Sequence, residues 1–433
     1  MSQPTDRHKL LESPGLRSIE DLFAEIPAEL RHERPLRLPG PLAESDLAVR
    51  LLELASPNTD LDEALCFIGG GVYDHYVPAI VDAIAASAGA GPVTHASPQP
   101  ILQAVFELQG LFASLAALDA AAAPFPSAPL ALAEAIRVAA RATGRTEAVV
   151  ARSANPRYRA IAATLLGPAI AFREAGYHGG ATRPGDAERL LSDQAACLVV
   201  EHPNYFGCLE DVSALAALAH SHGAKLIVKV DPIALGVLAP PGQAGADIAV
   251  ADAQPLGSRP AYGGSLGLLA CRADLTHLLP GWRVERAGDG FQAVGAAAEG
   301  VRADAVVRPV AYLAAVGPGG LTRAASLSTA LAQATQRAIT SIEGFDLRFR
   351  APFFKEFAVE AKAGPEEVSE ALLESNILGA LALQPDYPEM DHCLLFAATE
   401  SRTSADIELL RHTLELMADT AVGGDFELDS DDG

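Results

Sequence analysis

The sequence predicts an α/β fold: a large, mostly parallel sheet domain followed by a small C-terminal α+β domain. Three observations carry this expectation. Short apolar runs alternate with helical stretches between about residues 61 and 300, and the order of elements changes after about 315. A chain of 433 residues with 49% hydrophobic content can also bury one large core and a smaller second one.

Residues 1–60 read as a helical, peripheral extension broken at Pro14, Pro27, Pro35 and Pro41. Ser18 to Asp21 has a capping-box-like pattern, with Leu22, Phe23 and Ile26 following at helical spacing. The large domain is expected over 61–315. Its Ala-rich helical stretches, 102–120 and 128–142, precede the apolar runs 148–151, 197–200, 226–228, 248–250 and 266–270, with a helix at 210–222 among them. Such continuous runs between helices indicate strands buried on both faces, hence a parallel sheet. The small domain is expected over 316–422, with helices at 321–342 and 365–375 and strands at 346–349, 354–359, 378–383 and 393–398. Its last helix starts at Thr403, with Asp406 as cap partner and Ile407, Leu410, Leu414 and Met417 on one face. Asp425, Glu427, Asp429, Asp431 and Asp432 make 423–433 an acidic, disordered tail.

A net charge of −23 excludes a nucleic-acid partner, since phosphate backbones are bound by clustered cations. The five cysteines are scattered and form no metal or CxxC spacing, which fits reduced thiols in the cytoplasm. No apolar stretch reaches the ~18 residues of a membrane span, and the polar start has no signal-peptide core, so no membrane association is expected. His220 and His222 end a helix before Gly223, where they suit the helix dipole; no metal is expected. Gly69 to Gly71 fits no phosphate-loop spacing and reads as a tight turn, while Trp282 and Phe291 read as packing residues.

Asp231 ends an apolar strand and Pro232 closes it, at the edge where α/β sheets bind ligands. In pyridoxal-phosphate enzymes of this architecture such an Asp pairs with the pyridinium nitrogen. The lysine forming the aldimine should follow at the end of a later strand, in the stretch 247–267. That stretch holds no lysine. The chain has five (Lys9, Lys225, Lys229, Lys355 and Lys362), and none lies between Lys229 and Lys355. Lys355 is assigned to the small domain.

Several motifs resemble the α subunit of glycine dehydrogenase (decarboxylating), the P-protein of the glycine cleavage system. They are FIGGGVYDHYVP at 67–78, PNYFG at 203–207, VDP at 230–232, PPGQAGAD at 240–247, GPGGL at 317–321, PFFKEF at 352–357, DYPE at 386–389 and TESRT at 399–403. The resemblance runs from about 15 to 420. It implies a fold-type-I, pyridoxal-phosphate transferase-like architecture and a hetero-oligomer with a β subunit that holds the cofactor. That partner releases carbon dioxide from glycine and passes the aminomethyl group to the lipoyl H-protein. Against the β-type pattern, Gln254 falls at a His and Pro255 at the Schiff-base Lys. This chain is therefore expected to bind no cofactor covalently and to supply no catalytic residue, with Asp231 and Gln254 vestigial. Tyr73, Asp74, His75 and Tyr76 are expected at a subunit interface or site rim.

The chain departs from the family pattern in three places. PFPSAP at 124–129 replaces an Asp-Gly-Ala-Thr-like turn after Asp119 and offers fewer backbone N–H groups to a phosphate. The segment around His95 is shorter, and 295–309 replaces an Arg-rich stretch ending in Ser-Asn-Ile-Cys-Thr-Asn-Gln. These differences define the second reading, a non-enzymatic homologue that binds or regulates another protein.

Overall fold

The computed structural model describes residues 11, 15–31, 38–61, 63–260, 266–280, 282–295 and 300–423. The acidic tail from 424 and the 261–265 part of the turn after Pro255 lie outside the described residues. The chain forms two compact units, Met1–Thr59 and Asp60–Gly433. In the first, short 3-10 turns at Glu20–Phe23 and Ala28–Leu30 precede the helix Glu44–Ala55. The Asp21 carboxylate accepts from the backbone N–H groups of Arg17 and Ser18.

The second unit opens with β1 (Leu65–Cys66) and is built on a seven-stranded sheet. Its strands are β2 (Ala120–Phe125), β3 (Glu147–Ala151), β4 (Ala171–Ala175), β5 (Ala195–His202), β6 (Lys225–Val230), β7 (Ile248–Asp252) and β8 (Gly267–Cys271). They lie in the order β2-β8-β7-β6-β5-β3-β4, parallel except that β8 runs against both neighbours. Alternate residues feed two cores. Val149, Leu198, Val200, Leu226 and Val228 join one, while Val150, Cys197, Val199, Ile227 and Val250 join the other. Burial on both faces explains why these strands read as unbroken apolar runs.

Two strands differ from expectation. The helix expected over 102–120 is Gln99–Ala116, and Ala117 leaves it with a left-handed φ of 52°. Residues 120–125, an Ala run with no strand periodicity, then pair with β8 as an edge strand, where Pro124 is tolerated. At the opposite edge, β4 exposes Arg173 and Glu174 and so carries no apolar run to recognise.

The hairpin β9 (Arg283–Ala287) and β10 (Gly290–Val294) leads into the helix Ala303–Thr340. Two helical segments meet there at Gly317 (φ 60°, ψ −177°), just before Pro318, so the boundary expected after 315 lies beside the junction between them. Beyond it, β11 (Phe345–Leu347), β12 (Glu356–Ala361), β13 (Ile377–Leu378), β14 (Leu381–Ala382) and β15 (Cys393–Ala397) follow. Four of them form the antiparallel sheet β11-β12-β15-β14, and β13 pairs with β1, which draws residues 65–66 out of the large domain. The helix Ser404–Gly423 is capped reciprocally: Thr403 N donates to Asp406 Oδ2 at 2.7 Å and Asp406 N to Thr403 Oγ1 at 3.2 Å. Among the described residues no helix is long and apolar enough to cross a membrane.

Candidate functional site

The carboxyl ends of β5, β6 and β7 meet the start of β12 in one buried polar cluster. Gly207 permits the approach: its φ is +79°, and a Cβ there would lie 1.8 Å from the Glu356 carbonyl oxygen. Gly70 and Gly71, with φ of +75° and +102°, form the turn expected of the glycine run. That turn wraps a carboxylate, with Gly70 N donating to Glu356 Oε1 at 2.6 Å.

Lys355, assigned to the small domain on sequence grounds, stands just before β12 and points into this cluster. It is 2% exposed and its Nζ lies 2.5 Å from Asp231 Oδ2, 2.8 Å from His75 Nε2 and 3.4 Å from the centre of the Tyr73 ring. An ammonium group only donates, so His75 accepts at Nε2 and carries its proton on Nδ1, which donates to Glu400 Oε2 at 2.7 Å. Ser328 Oγ also donates to Glu400, at 2.9 Å. Tyr73 OH donates to Glu356 Oε2 at 2.6 Å.

Burial works against each charge here, and the neighbours decide the outcome. Burial would raise Asp231, but Lys355 prevails and holds it below the usual carboxylate range. For Lys355 burial wins and its ammonium is pulled down, despite Asp231. Burial pushes Glu356 up to about 7 against the hydrogen bond from Tyr73. Tyr73 is driven well above its usual value by burial and by Glu356, and stays a donor.

Asp231, expected to be a vestige that caps the following turn, has its Oδ1 accepting from Ile233 N at 2.9 Å, and it is also the anion of the Lys355 pair. Gln254, expected to have no cofactor role, ties two loops together. Its Oε1 accepts from Tyr73 N at 3.1 Å, and its Nε2 donates to Tyr73 O and Ser258 O, both at 2.9 Å. Pro255 is buried in the turn after β7.

Of the four expected rim residues, Tyr73 and His75 are buried at 7% and 3% exposure, because their polar atoms complete the internal network. Asp74 is half-buried against Arg402, 2.5 Å away. Only Tyr76, 65% exposed, faces outward.

The space left beside Asp231, Lys355, Lys229 and Tyr73 is a cavity of about 10 Å³, room for one water. A wider cavity of about 320 Å³ lies between Asp82, Ser258, Arg259, Arg302, Asp304 and Arg308. Arg308 Nη1 is 2.6 Å from Asp82 there, and Arg302 is clamped by Asp304. Further off, the helix Ala128–Thr143 offers little to an anion. Pro129 has no N–H, and Leu130 N donates to Ser127 Oγ at 3.4 Å. His220 pairs with Asp247 at 2.7 Å, and among the described residues no cluster of three His, Cys, Asp or Glu is placed to hold a metal ion.

Sequence reasoning missed Lys355, Glu356 and Glu400. PFFKEF and TESRT marked their segments, but nothing local signals that a lysine more than a hundred residues from Asp231 will meet it.

Comparison with known proteins agrees with this architecture. The family described as Glycine cleavage system P-protein matches residues 2–293. A probable glycine dehydrogenase (decarboxylating) subunit 1 from Desulforamulus reducens is 36% identical, covering 94% of this chain and 96% of that protein. Its counterpart from Carboxydothermus hydrogenoformans is 37% identical, covering 95% and 98%. The crystal structure of glycine decarboxylase (P-protein) of the glycine cleavage system, in inhibitor-bound form, superposes with a TM-score of 0.83 at 34% identity, covering 96% of this chain and 99% of that one. A sphingosine-1-phosphate lyase from Burkholderia pseudomallei shares the fold alone, with a TM-score of 0.67 at 18% identity. The architecture is that of the fold-type-I enzymes, and the chain belongs to the glycine cleavage system P-protein family.

Proposed function

We propose that this chain is the α subunit of a glycine-decarboxylating enzyme and supports the reaction without carrying its cofactor. The observation that supports this most is Pro255, which stands in the turn after β7 where the Schiff-base lysine is expected and has no amine to offer. The residues present do not fit pyridoxal phosphate. Asp231, the group a pyridinium nitrogen needs, is engaged by Lys355, and a cavity of about 10 Å³ has no room for a ring. Lys229, the other buried lysine among the described residues, is held by Glu201 at 2.5 Å.

On this reading the cofactor resides in a β-type partner, where it supplies the electron sink for decarboxylation. The aminomethyl group then passes to the lipoyl H-protein. The relatives are each named a subunit 1, which supports a hetero-oligomer, and on this reading its compartment is the cytoplasm, which free thiols among the described cysteines fit. This chain contributes surface and support. Tyr76 and the exposed Ile80 and Ile84 stand four residues apart, and the two isoleucines share one face of the helix Ala79–Ala88. These three residues are the ones we assign to the partner interface, in place of Tyr73 and His75.

Incubation of the purified chain with pyridoxal phosphate, borohydride reduction and peptide mapping should give no stoichiometric pyridoxyl-lysine. One fully modified lysine would overturn the cofactor-free assignment. Mixed with a β chain, the protein should form a complex active in glycine–bicarbonate exchange. The double substitution Tyr76→Asp/Ile80→Asp should abolish complex and exchange together, with circular dichroism unchanged. Loss of the complex with undiminished exchange by the β chain would replace this proposal with the non-enzymatic binding role.

A further inference from the structure

Lys355 joins parts of the chain that are remote in sequence. Its partners are Asp231 at the end of β6, and Tyr73 and His75 on the extended segment that precedes the helix Ala79–Ala88. Through His75 the contact continues to Glu400, after β15, and to Ser328 on the helix Ala303–Thr340. The lysine itself stands at the entrance to the small domain's sheet, so the contact closes that domain onto the carboxyl end of the large sheet. Its surroundings form a receptor for a cation: a carboxylate, an imidazole acceptor and the face of a tyrosine ring. The ring centre of Phe354 lies 5.8 Å from Nζ.

We infer that Lys355 is a tethered ligand: it occupies a cation site at the end of β6 and latches the small domain shut, and cutting it back exposes that site to a small organic ammonium ion. This goes beyond the proposed function, since it depends on neither glycine nor a partner. Truncation of Lys355 to alanine removes three methylenes and the amine, which is the size of n-propylammonium. Asp231 then remains buried without its cation, an arrangement that is strongly destabilising. A free ammonium of matching length restores the charge and fills the volume. Tetramethylammonium, which has no N–H to give Asp231 or His75, does not.

Thermal unfolding of the full chain tests this. Lys355→Ala should lower the melting temperature by on the order of 5 °C, and millimolar n-propylammonium should recover most of that loss while leaving the unsubstituted chain unmoved. An equal response of both proteins, or an equal response to tetramethylammonium, overturns the site. Should Lys355→Ala fail to fold, the charge is tested with Lys355→Met and Lys355→Met/Asp231→Asn. The double variant should melt higher than the single one, because the orphaned carboxylate is gone; equal melting overturns the pairing. The latch is read by amide hydrogen exchange in the double variant. Exchange should quicken at 69–76 and 356–360 and stay unchanged in β3, and uniform protection at all three would refute the latch.

Discussion

Two buried lysines lie in the same cluster, and they are held in opposite ways. Lys229 and Glu201 are register partners on adjacent parallel strands, so the sheet itself sets their ion pair at 2.5 Å. Glu201 also accepts from Asn155 N at 2.6 Å, and although burial pulls Lys229 down, Glu201 prevails and raises it. Lys355 meets Asp231 across the junction of the large and small domains, and there burial prevails. The difference separates two uses of one chemistry. A pair made within a sheet is fixed by backbone hydrogen bonds that exist anyway. A pair made across domains depends on their closure and in turn enforces it.

The largest test of this contrast is Glu201→Ala. It leaves Lys229 buried and unpaired and should cost about 3–5 kcal/mol in denaturant unfolding. Glu343→Ala, which breaks the exposed Lys362–Glu343 pair at 3.9 Å, should change almost nothing. A comparable loss from both would erase the distinction between sheet-built pairs and surface ones.

A smaller effect should follow acidification. Burial pushes the Glu400 carboxyl up, but His75 beside it prevails and holds it down at about 2, below its ordinary 4.5. A carboxyl depressed on folding contributes stability that is complete above its unfolded value and is lost as pH falls through the folded one. Between pH 4.5 and 2 that loss should reach on the order of 3 kcal/mol, and Glu400→Gln should flatten the same limb. An unchanged acid limb in Glu400→Gln would show that the Glu400 carboxyl is not held down in the folded chain.

The smallest expected change is at Pro255. Pro255→Lys restores an amine where the family's β-type pattern has one, yet it should give no aldimine absorbance with pyridoxal phosphate, because Asp231 remains engaged by Lys355. A stoichiometric chromophore would mean that the proline alone had been excluding the cofactor.

Much of the architecture was legible in the sequence. The runs at 148–151, 197–200, 226–228 and 248–250 are β3, β5, β6 and β7 because strands buried on both faces must be apolar at every position. Thr403 and Asp406 announced the last helix through a local hydrogen-bond exchange that any sequence window contains. The edges were harder. An Ala run such as 120–123 takes its conformation from its neighbour β8, and β4 hides among polar residues. For the site, local reading singled out Asp231 at a strand end and the absence of lysine from 247–267, while the position 255 came from the resemblance to the family's β-type pattern. It did not bring Lys355 to Asp231 or foresee the burial of Tyr73 and His75, since these follow from how the domains meet rather than from any periodicity.

The break at Gly317 carries a mechanical consequence. The helix Ala303–Thr340 packs on Ala79–Ala88 and Gln99–Ala116, and also on the small domain's β12 and Ser404–Gly423. A straight rod through both would transmit any rotation of the small domain as leverage on the layer covering the main sheet. A residue with φ of 60° and ψ of −177° interrupts the hydrogen-bonded ladder between them. The segment after this joint takes its own direction, yet Leu321 and Ala325 at its start still pack with Ile233 and Ala234 beyond β6, so the helix that carries the small domain begins on the large one.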